Sequence, residues 1–383
     1  MRTWSLTIIG RPSRRACLTL IAIALVTVAC GGSPTGPSAS TPPTGPSAGL
    51  APGSGATPPS NNNPTTDGRT FFVSDAGSDS NPGTRAQPWR TIWHGAAQLG
   101  PGDTLYVRGG TYNEREQIRI TSSGTASNPI TIAGFEEEEV IIYGFPGAEY
   151  MISFFDSAAY FVMERLIIDG RGENGIVGTI ILAPGSHHIR FKQLEIRNGL
   201  SNGIFGGGTD HEFIDLRVHG NGVATGQQNA NGLYLTTDSS RVVGGEFYDN
   251  ACYGVRIFDS GSAESADNNA VTGAKFYGNG YGVGLGRQSV CISGGGGLVL
   301  GDVNNRADDN LVYQNLQGIL VFGFKRSSGI KVVGNTLRDN ISSAIEVQRG
   351  AANAELRDNI LSGNGTGIVD SGTATIRSNN GPQ

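Results

Sequence analysis

Several residues in the second half of the chain have side chains suited to acid–base catalysis. Arg256 lies two residues after Gly254, a member of a repeated Gly-aliphatic phrase, and Lys325 follows a later copy of that phrase. His219 and Tyr234 lie beside neighbouring copies. Removing a proton from a carbon next to a carboxylate requires a base, together with a cation that neutralises the developing charge. Lysine is the easier base because burial lowers its pKa, whereas arginine resists deprotonation. For each residue taken singly, the competing interpretation is an ordinary surface position.

Three carboxylates follow three consecutive copies of the phrase, at Asp210, Asp238 and Asp259. Rungs of a stacked β-structure lie about 4.8 Å apart, so these side chains can approach one another and offer the oxygen ligands that Ca²⁺ prefers. The alternative is that Asp is simply a common turn residue, and the three offsets from the repeat glycines differ. The sequence therefore predicts Ca²⁺ as a candidate cofactor, with a turn role as the alternative.

A row of aromatic and polar residues accompanies these groups. Side chains alternate across a strand, so the aliphatic residue of each phrase points inward and the next residue points outward. Aromatic rings on such a face present flat apolar surfaces on which sugar rings can stack. The predicted substrate-binding residues are Phe205, Tyr234, Phe258, Phe322, Glu346 and Arg326. The alternative is that strands favour aromatic residues whatever their function.

The element that must position these residues is a repeat that extends from Asn198 to Val369. Each copy has an Asn, a few small residues, and a Gly or Ala followed by an aliphatic residue. The Gly or Ala positions are 203, 232, 254, 282, 318, 344 and 367. A period in the low twenties with occasional insertions is typical of a solenoid. Two insertions, Ser260 to Asn268 and Arg287 to Asp308, are predicted to form loops that flank the outward face.

The first 68 residues differ in composition from the rest. Residues 1–29 combine arginines with a short apolar stretch and read as a signal peptide, and residues 30–68 are a Pro/Ser/Thr/Gly-rich flexible tether. The sequence around Cys30 resembles a bacterial lipobox, which predicts lipidation there and a surface-anchored or otherwise secreted protein. Contact with a membrane is then expected only through the lipid. With 33 acidic and 28 basic residues, the chain is not expected to bind nucleic acid.

Two cysteines remain after processing, Cys252 and Cys291. An exported protein meets oxidising conditions, so they can form a disulfide. The alternative, which the positions favour, is one small core residue and one loop thiol. The chain contains no CxxC or His/Cys pattern typical of zinc sites.

The start of the globular part contains the motifs that reveal a family resemblance. Residues 71–84 read FFVSDAGSDSNPGT, residues 87–92 read QPWRTI, and residues 102–112 read GDTLYVRGGTY, with an apolar helical stripe between the last two. This region resembles the N-terminal cap of secreted bacterial right-handed parallel β-helix proteins, including family 9 polysaccharide lyases. The resemblance implies an all-β, single-stranded right-handed parallel β-helix over residues 69–380, closed by a short capping helix. In related β-helix lyases the base is an Arg or Lys, and stacked asparagines, here Asn335 and Asn359, form a hydrogen-bonded ladder.

The expected function is that of a surface-anchored, carbohydrate-active protein, most simply a monomeric polysaccharide lyase-like enzyme acting on an acidic polysaccharide. Two alternatives stay open: a glycoside hydrolase or epimerase using the same groove, and a non-catalytic carbohydrate-binding or adhesion protein. The paired Asp, Gly-His-Gly and Arg-Ile-Lys motifs of β-helix polygalacturonases are absent, as are those of family 1 pectate lyases. Fold alone does not decide among these functions.

Overall fold

The computed structural model describes residues 68–145, 147, 149–171, 178–222, 230–259, 265–281, 291, 294–324 and 327–381. The predicted signal peptide, Cys30 and the predicted tether up to residue 67 lie outside this range. The described part has one short helix, α1 (Ile92–Ala96). It contains no helix long and apolar enough to span a membrane.

The strands, in chain order, are β1 (Thr70–Val73), β2 (Thr104–Val107), β3 (Gly110–Asn113), β4 (Ile118–Ile120), β5 (Ile130–Gly134), β6 (Val140–Tyr143), β7 (Tyr150–Phe154), β8 (Ala159–Glu164), β9 (Ile167–Asp169), β10 (Gly178–Leu182), β11 (His187–Lys192), β12 (Glu195–Arg197), β13 (Ile204–Gly206), β14 (Glu212–Ile214), β15 (Arg217–His219), β16 (Leu233–Leu235), β17 (Arg241–Val243), β18 (Glu246–Tyr248), β19 (Tyr253–Ile257), β20 (Ala270–Thr272), β21 (Lys275–Tyr277), β22 (Gly296–Leu300), β23 (Arg306–Asp308), β24 (Leu311–Tyr313), β25 (Ile319–Val321), β26 (Lys331–Val333), β27 (Thr336–Arg338), β28 (Ser343–Val347), β29 (Glu355–Arg357), β30 (Ile360–Ser362), β31 (Thr366–Asp370) and β32 (Ile376–Ser378).

These strands form three parallel sheets wound as a solenoid. The first sheet has twelve strands, from β1 and β2 to β32; the second has ten, from β3 to β30; the third has ten, from β4 to β31. Along most of the coil, three consecutive strands enter the three sheets in turn, and each strand pairs with its equivalent one turn later. The predicted all-β parallel solenoid is confirmed.

The inside of the coil is apolar because every strand alternates its side chains between core and surface. Large aromatic residues contact one another along the interior: Phe154 meets Phe191 edge to face at 5.4 Å, and Phe247 stacks on Phe276 at 5.2 Å between ring centroids. Helix α1 buries Ile92 and Ala96 and packs against β4, the first strand of the third sheet. It is shorter than the stretch to Leu99 that its apolar stripe predicted; its role as a cap stays a prediction.

Buried asparagines form ladders at the corners of the coil. The longest described one joins Asn221, Asn250, Asn279, Asn315, Asn340 and Asn364. In each step the side-chain amide of one Asn donates to the side-chain oxygen of the next, and most of these amides also bond a backbone carbonyl. A second ladder contains Asn335 and Asn359, 3.0 Å apart between nitrogen and oxygen. The prediction that these asparagines are structural is confirmed.

The predicted copy at Gly282 lies outside the described residues. In the third sheet, the strand next to β19 is β22, which begins at Gly296. Gly297-Leu298 has the same Gly-aliphatic pattern, so the two sites compete on sequence alone. The predicted insertion from Arg287 to Asp308 is therefore too long at its C-terminal end, since it contains both β22 and β23.

Candidate active site

The outward face of the third sheet, called the groove face below, carries three of the predicted sugar-binding residues, Phe205, Tyr234 and Glu346, in one continuous column. Strand pairing places side by side, in this order, Phe205, Tyr234, Arg256, Val299, Leu320 and Glu346. Earlier strands of the same sheet extend the column on the other side of Phe205 with Ile181, Ser153 and Arg119. Because neighbouring strands lie about 4.8 Å apart, each residue is within side-chain reach of the next.

Arg256 is the central charged group of this column. It is 6% exposed, and its guanidinium carbon lies 4.6 Å from the ring centre of Tyr234 and 4.2 Å from that of Phe258. Both contacts are cation–π interactions, which strengthen when the cation is removed from water. Burial lowers the pKa of the Arg256 guanidinium, but an arginine shifted in this way remains a cation at neutral pH.

Four of the aromatic residues form a connected row of rings around Arg256. Phe205 and Tyr234 have ring centroids 5.3 Å apart, and Tyr234 lies 6.0 Å from Phe258. Phe258 in turn lies 4.6 Å from Phe322. These four rings are called the shelf below. Phe205, Tyr234 and Phe322 are partly exposed, so the shelf offers ring surface to a ligand.

A small apolar cluster lies on the groove face on one side of Arg256. It contains Cys252, Tyr253, Phe258, Val299 and Leu320, with Cys291 and Phe322 packed against it. Cys252 and Cys291 form a disulfide with their Cα atoms 5.7 Å apart. The favoured expectation of two unpaired thiols was therefore wrong, because the fold brings residues 39 positions apart together.

Glu346 lies beyond this cluster. Gln317 donates to its carboxylate at 2.7 Å, and Gln348 donates to the other oxygen at 3.4 Å. Burial raises the pKa of the Tyr253 hydroxyl, which Arg256 opposes and Glu346 reinforces. Tyr253 thus lies within electrostatic range of both Arg256 and Glu346. Sequence reasoning missed it because Tyr253 precedes its repeat glycine.

His219, predicted as an acid–base residue of this face, lies on β15 in the second sheet. Its ring stacks on Tyr248 with centroids 4.5 Å apart, and its Nε2 atom contacts the Glu195 carboxylate at 3.3 Å. Burial lowers the pKa of His219, and the Glu195 contact opposes that shift. The structure therefore does not bring His219 together with Arg256, because the intervening corner of the coil sends the two strands to different sheets.

The three aspartates predicted to bind Ca²⁺ are engaged in turns. The Asp238 carboxylate accepts from the Asp267 backbone at 2.7 Å and from the Ser265 hydroxyl at 2.6 Å. The Asp259 backbone donates to the Asp302 carboxylate at 2.7 Å. Asp210 is exposed, with a left-handed φ of 58°. Among the described residues, no group of three or more His, Cys, Asp or Glu could hold a metal ion, so these aspartates do not fit the predicted site.

Lys325 and Arg326, predicted as base and substrate contact, lie outside the described residues. Two cavities lie elsewhere on the coil. One of about 630 Å³ adjoins α1 and is lined by Asp79, Trp93 and Glu114 among others. Another, of about 380 Å³, lies outside the first sheet beside His188 and Asp210. Neither cavity is lined by a residue of the groove-face column.

The fold and groove face define a β-helix of the carbohydrate-active kind. Residues 71–317 match the model of the Pel9A-like, right-handed β-helix region, which covers more than half of the chain, and the protein belongs to that family. A 66-residue stretch is 42% identical to pectate lyase PEL9 of Emericella nidulans (strain FGSC A4), covering 17% of this chain and 16% of that enzyme. The chain thus matches about a sixth of the length of that relative.

Two solved structures resemble the whole coil. The crystal structure of pectate lyase Pel9A has a TM-score of 0.63 at 18% identity, covering 82% of this chain and 80% of that one. The alginate lyase from Paenibacillus sp. str. FPU-7 has a TM-score of 0.61 at 16% identity, covering 80% of this chain and 99% of that one. At these identities the likeness establishes the fold. It also supports the predicted right-handed winding.

Proposed function

We propose that this protein is a polysaccharide lyase-like enzyme that cleaves an acidic polysaccharide by β-elimination on the groove face. The observation that carries the proposal is Arg256, a buried cation held between the rings of Tyr234 and Phe258 on a sugar-sized aromatic shelf. Guanidinium and carboxylate match in charge and geometry, so a uronate bound on this shelf can place its carboxylate against Arg256.

Arg256 supplies charge neutralisation. When the proton on the carbon next to the carboxylate leaves, negative charge spreads onto the carboxylate oxygens. A cation already fixed in a dry site stabilises that charge without reorganising. The cation–π contacts with Tyr234 and Phe258 fix the guanidinium in place before the sugar binds.

Tyr234 is the proton donor of the proposal. It is the residue next to Arg256 in register and is partly exposed, so its hydroxyl can reach the same sugar. The base takes the proton from C5, the C4–oxygen bond breaks, a C4–C5 double bond forms, and Tyr234 protonates the departing oxygen. Lys325 is the predicted base on sequence grounds, because lysine exchanges protons far more readily than arginine.

The test is the ultraviolet absorbance of the unsaturated uronate product, measured on pectate, alginate and rhamnogalacturonan. We expect Arg256→Gln to lower turnover by roughly 10²–10³-fold, the usual cost of one preorganised stabilising group. Tyr234→Phe keeps the ring and removes the hydroxyl, so we expect turnover to fall about 10²-fold with little change in KM. His219→Gln is the matched control and should retain activity, because His219 lies on another sheet.

Two results would redirect the proposal. Saturable polymer binding without unsaturated product from any substrate would favour the non-catalytic carbohydrate-binding alternative. Saturated reducing ends would favour a hydrolase. Parallel assays with chelator and with added Ca²⁺ test the cofactor prediction, which the described aspartates do not support by geometry. Anchoring through a lipid on Cys30 likewise stays a prediction, checked by mass analysis of the mature N-terminus.

A further inference from the structure

The groove face carries positive and negative charge at different positions along its column. Its two arginines, Arg119 and Arg256, lie five strand spacings apart, or about 24 Å. Three strands beyond Arg256, Glu346 lies in register with Leu320. Among the described column residues from Arg119 to Glu346, Glu346 is the one carboxylate. A polymer along the column therefore meets two positions that attract a carboxylate and one that repels it.

Glu346 lies beside the Phe322 end of the shelf. Phe322 follows Leu320 by two residues, so both project from the same side of their chain segment. The Gln348 backbone N–H donates to the Val321 carbonyl at 3.0 Å, which continues the pairing between the two segments. Glu346 and Gln348 are both partly exposed. A sugar stacked on Phe322 thus lies about one strand spacing, or about 4.8 Å, from both side chains.

The Glu346 carboxylate is held in place by neutral groups. Gln317 Nε2 donates to one of its oxygens at 2.7 Å, and Gln348 Nε2 donates to the other at 3.4 Å. Gln317 is 9% exposed, and its Nε2 also donates to the Ser343 hydroxyl at 3.2 Å. These amides orient the carboxylate but supply no countercharge. Because an ionised carboxylate has about four acceptor positions, Glu346 can still accept hydrogen bonds from a ligand.

We infer that Glu346 is a specificity-determining residue that selects a neutral sugar, or a uronate with an esterified carboxyl group, at the position over Phe322. Two carboxylates brought together at a binding surface repel each other, so a free uronate must turn its acid group away from the sheet there. A neutral sugar instead donates its hydroxyl groups to Glu346 in charge-assisted hydrogen bonds.

The spacing of the charges indicates the class of substrate. The strand spacing of about 4.8 Å is close to the length of one sugar unit in an extended chain. A chain lying along the column would therefore place a uronate at Arg256 and a neutral or esterified unit about two or three sugars further on. The preferred polymer is an acidic polysaccharide whose uronates are interrupted by such units. The inference rests on the proposed function and specifies its substrate.

The experiment compares wild-type protein with Glu346→Gln on paired polymers: pectate with partly methyl-esterified pectin, and alginate with partly esterified alginate. The absorbance of the unsaturated product gives kcat/KM on each. Gln keeps the size of the side chain and removes its charge. On the fully acidic polymer we expect kcat/KM to rise about two- to five-fold, mainly through a lower KM, which is the scale of one partly exposed charge contact. On the esterified polymer kcat/KM should not rise. Salt at about 1 M, where the screening length is about 3 Å, should abolish the gain.

Two further variants make the comparison specific. Glu355→Gln removes the same charge on the first sheet, where Glu355 pairs with Lys331 at 3.4 Å, and should leave both values unchanged. Gln348→Glu places a second carboxylate beside Glu346 and should lower kcat/KM more on the fully acidic polymer than on the esterified one. This opposite change keeps the inference testable if Glu346→Gln does not fold.

The outcomes separate the inference from the proposed function. Equal changes on the two polymers of a pair, in Glu346→Gln or in Gln348→Glu, would overturn the inference and leave β-elimination intact. Absence of unsaturated product from wild-type protein on every polymer would instead refute the proposed function.

Discussion

Acidification is expected to destabilise this protein through a single buried histidine, His211. It is 0% exposed and lies just before β14. Its Nδ1 atom accepts from the Ile189 backbone N–H at 3.1 Å, which leaves Nε2–H to donate to the Gly207 carbonyl at 3.1 Å. Both ring nitrogens are thereby committed in the neutral form, since a proton on Nδ1 would displace the Ile189 bond.

The magnitude follows from the shift in pKa. Burial lowers the pKa of His211 from 6.5 to about 4, against smaller opposing effects from Gly207 and Asp210. Because the folded-state pKa lies below the unfolded value, the unfolded chain binds the proton first as pH falls. Stability is therefore complete above about pH 6.5 and is lost as pH falls towards 4. At 1.36 kcal/mol per pKa unit, the loss amounts to about 2.5 kcal/mol at pH 4.5.

The assay compares thermal unfolding at pH 7.5 and pH 4.5 for wild type, His211→Asn and His188→Asn. Asn can accept the Ile189 bond but does not titrate, so the first variant should be less stable at pH 7.5 yet lose less on acidification. Both proteins contain the same carboxylates, so the difference between their acid-induced shifts in unfolding midpoint reports His211 alone. We expect that difference to be on the order of 5 °C. His188 is exposed with φ 53°, a conformation that Asn tolerates, and its variant should track wild type. Equal acid sensitivity in all three proteins would refute the reasoning.

Two further predictions concern the repeat itself. A Cβ on Gly232 would lie less than 3.0 Å from the Gly254 carbonyl oxygen, whereas one on Gly367 would meet nothing within 4 Å. In urea unfolding, Gly232→Ala should lower the free energy of unfolding by about 1–3 kcal/mol, and Gly367→Ala should leave it almost unchanged. Equal losses for the two variants would contradict the packing argument. Asn279 donates to Asn315 and the Phe247 carbonyl and accepts from Asn250. Asn279→Ala should therefore lower the free energy of unfolding by about 3 kcal/mol, because buried partners lose their hydrogen bonds. As a control, Asn113→Ala at an exposed position should change the unfolding midpoint little. If Asn279→Ala is as stable as wild type, the ladder is dispensable.

The repeat made the fold predictable because the requirements of a solenoid are local. A small residue is needed where the chain crowds the next turn, as at Gly232, and an amide is needed where corner carbonyls are buried, as at Asn279. Both requirements leave single-residue signals at a regular spacing. The predicted copy at Gly282 and the strand Gly296–Leu300 carry the same signal, and choosing between them depends on strand pairing with β19, which is a contact between distant residues.

The candidate site was predictable only where it follows from alternation along a strand. Phe205, Tyr234 and Arg256 point outward because the residues before them point inward, and that rule needs no tertiary information. Alternation does not predict the positions of His219 and the three aspartates, because those positions depend on where each turn leaves the coil. Turn geometry is set by hydrogen bonds such as that between Asp238 and Asp267, which have no periodic signature.

The apolar cluster near Arg256 shows why tertiary contacts matter here as much as the repeat. A bare solenoid presents a uniform face, so the repeat alone cannot give one position on that face a drier environment than another. The disulfide between Cys252 and Cys291 and the clustering of Tyr253 and Phe258 with Val299 and Leu320 break that uniformity. Val299 and Leu320 are 1% and 2% exposed, so water has little access to the groove face next to the guanidinium, and the lower local dielectric strengthens the attraction of Arg256 for a carboxylate.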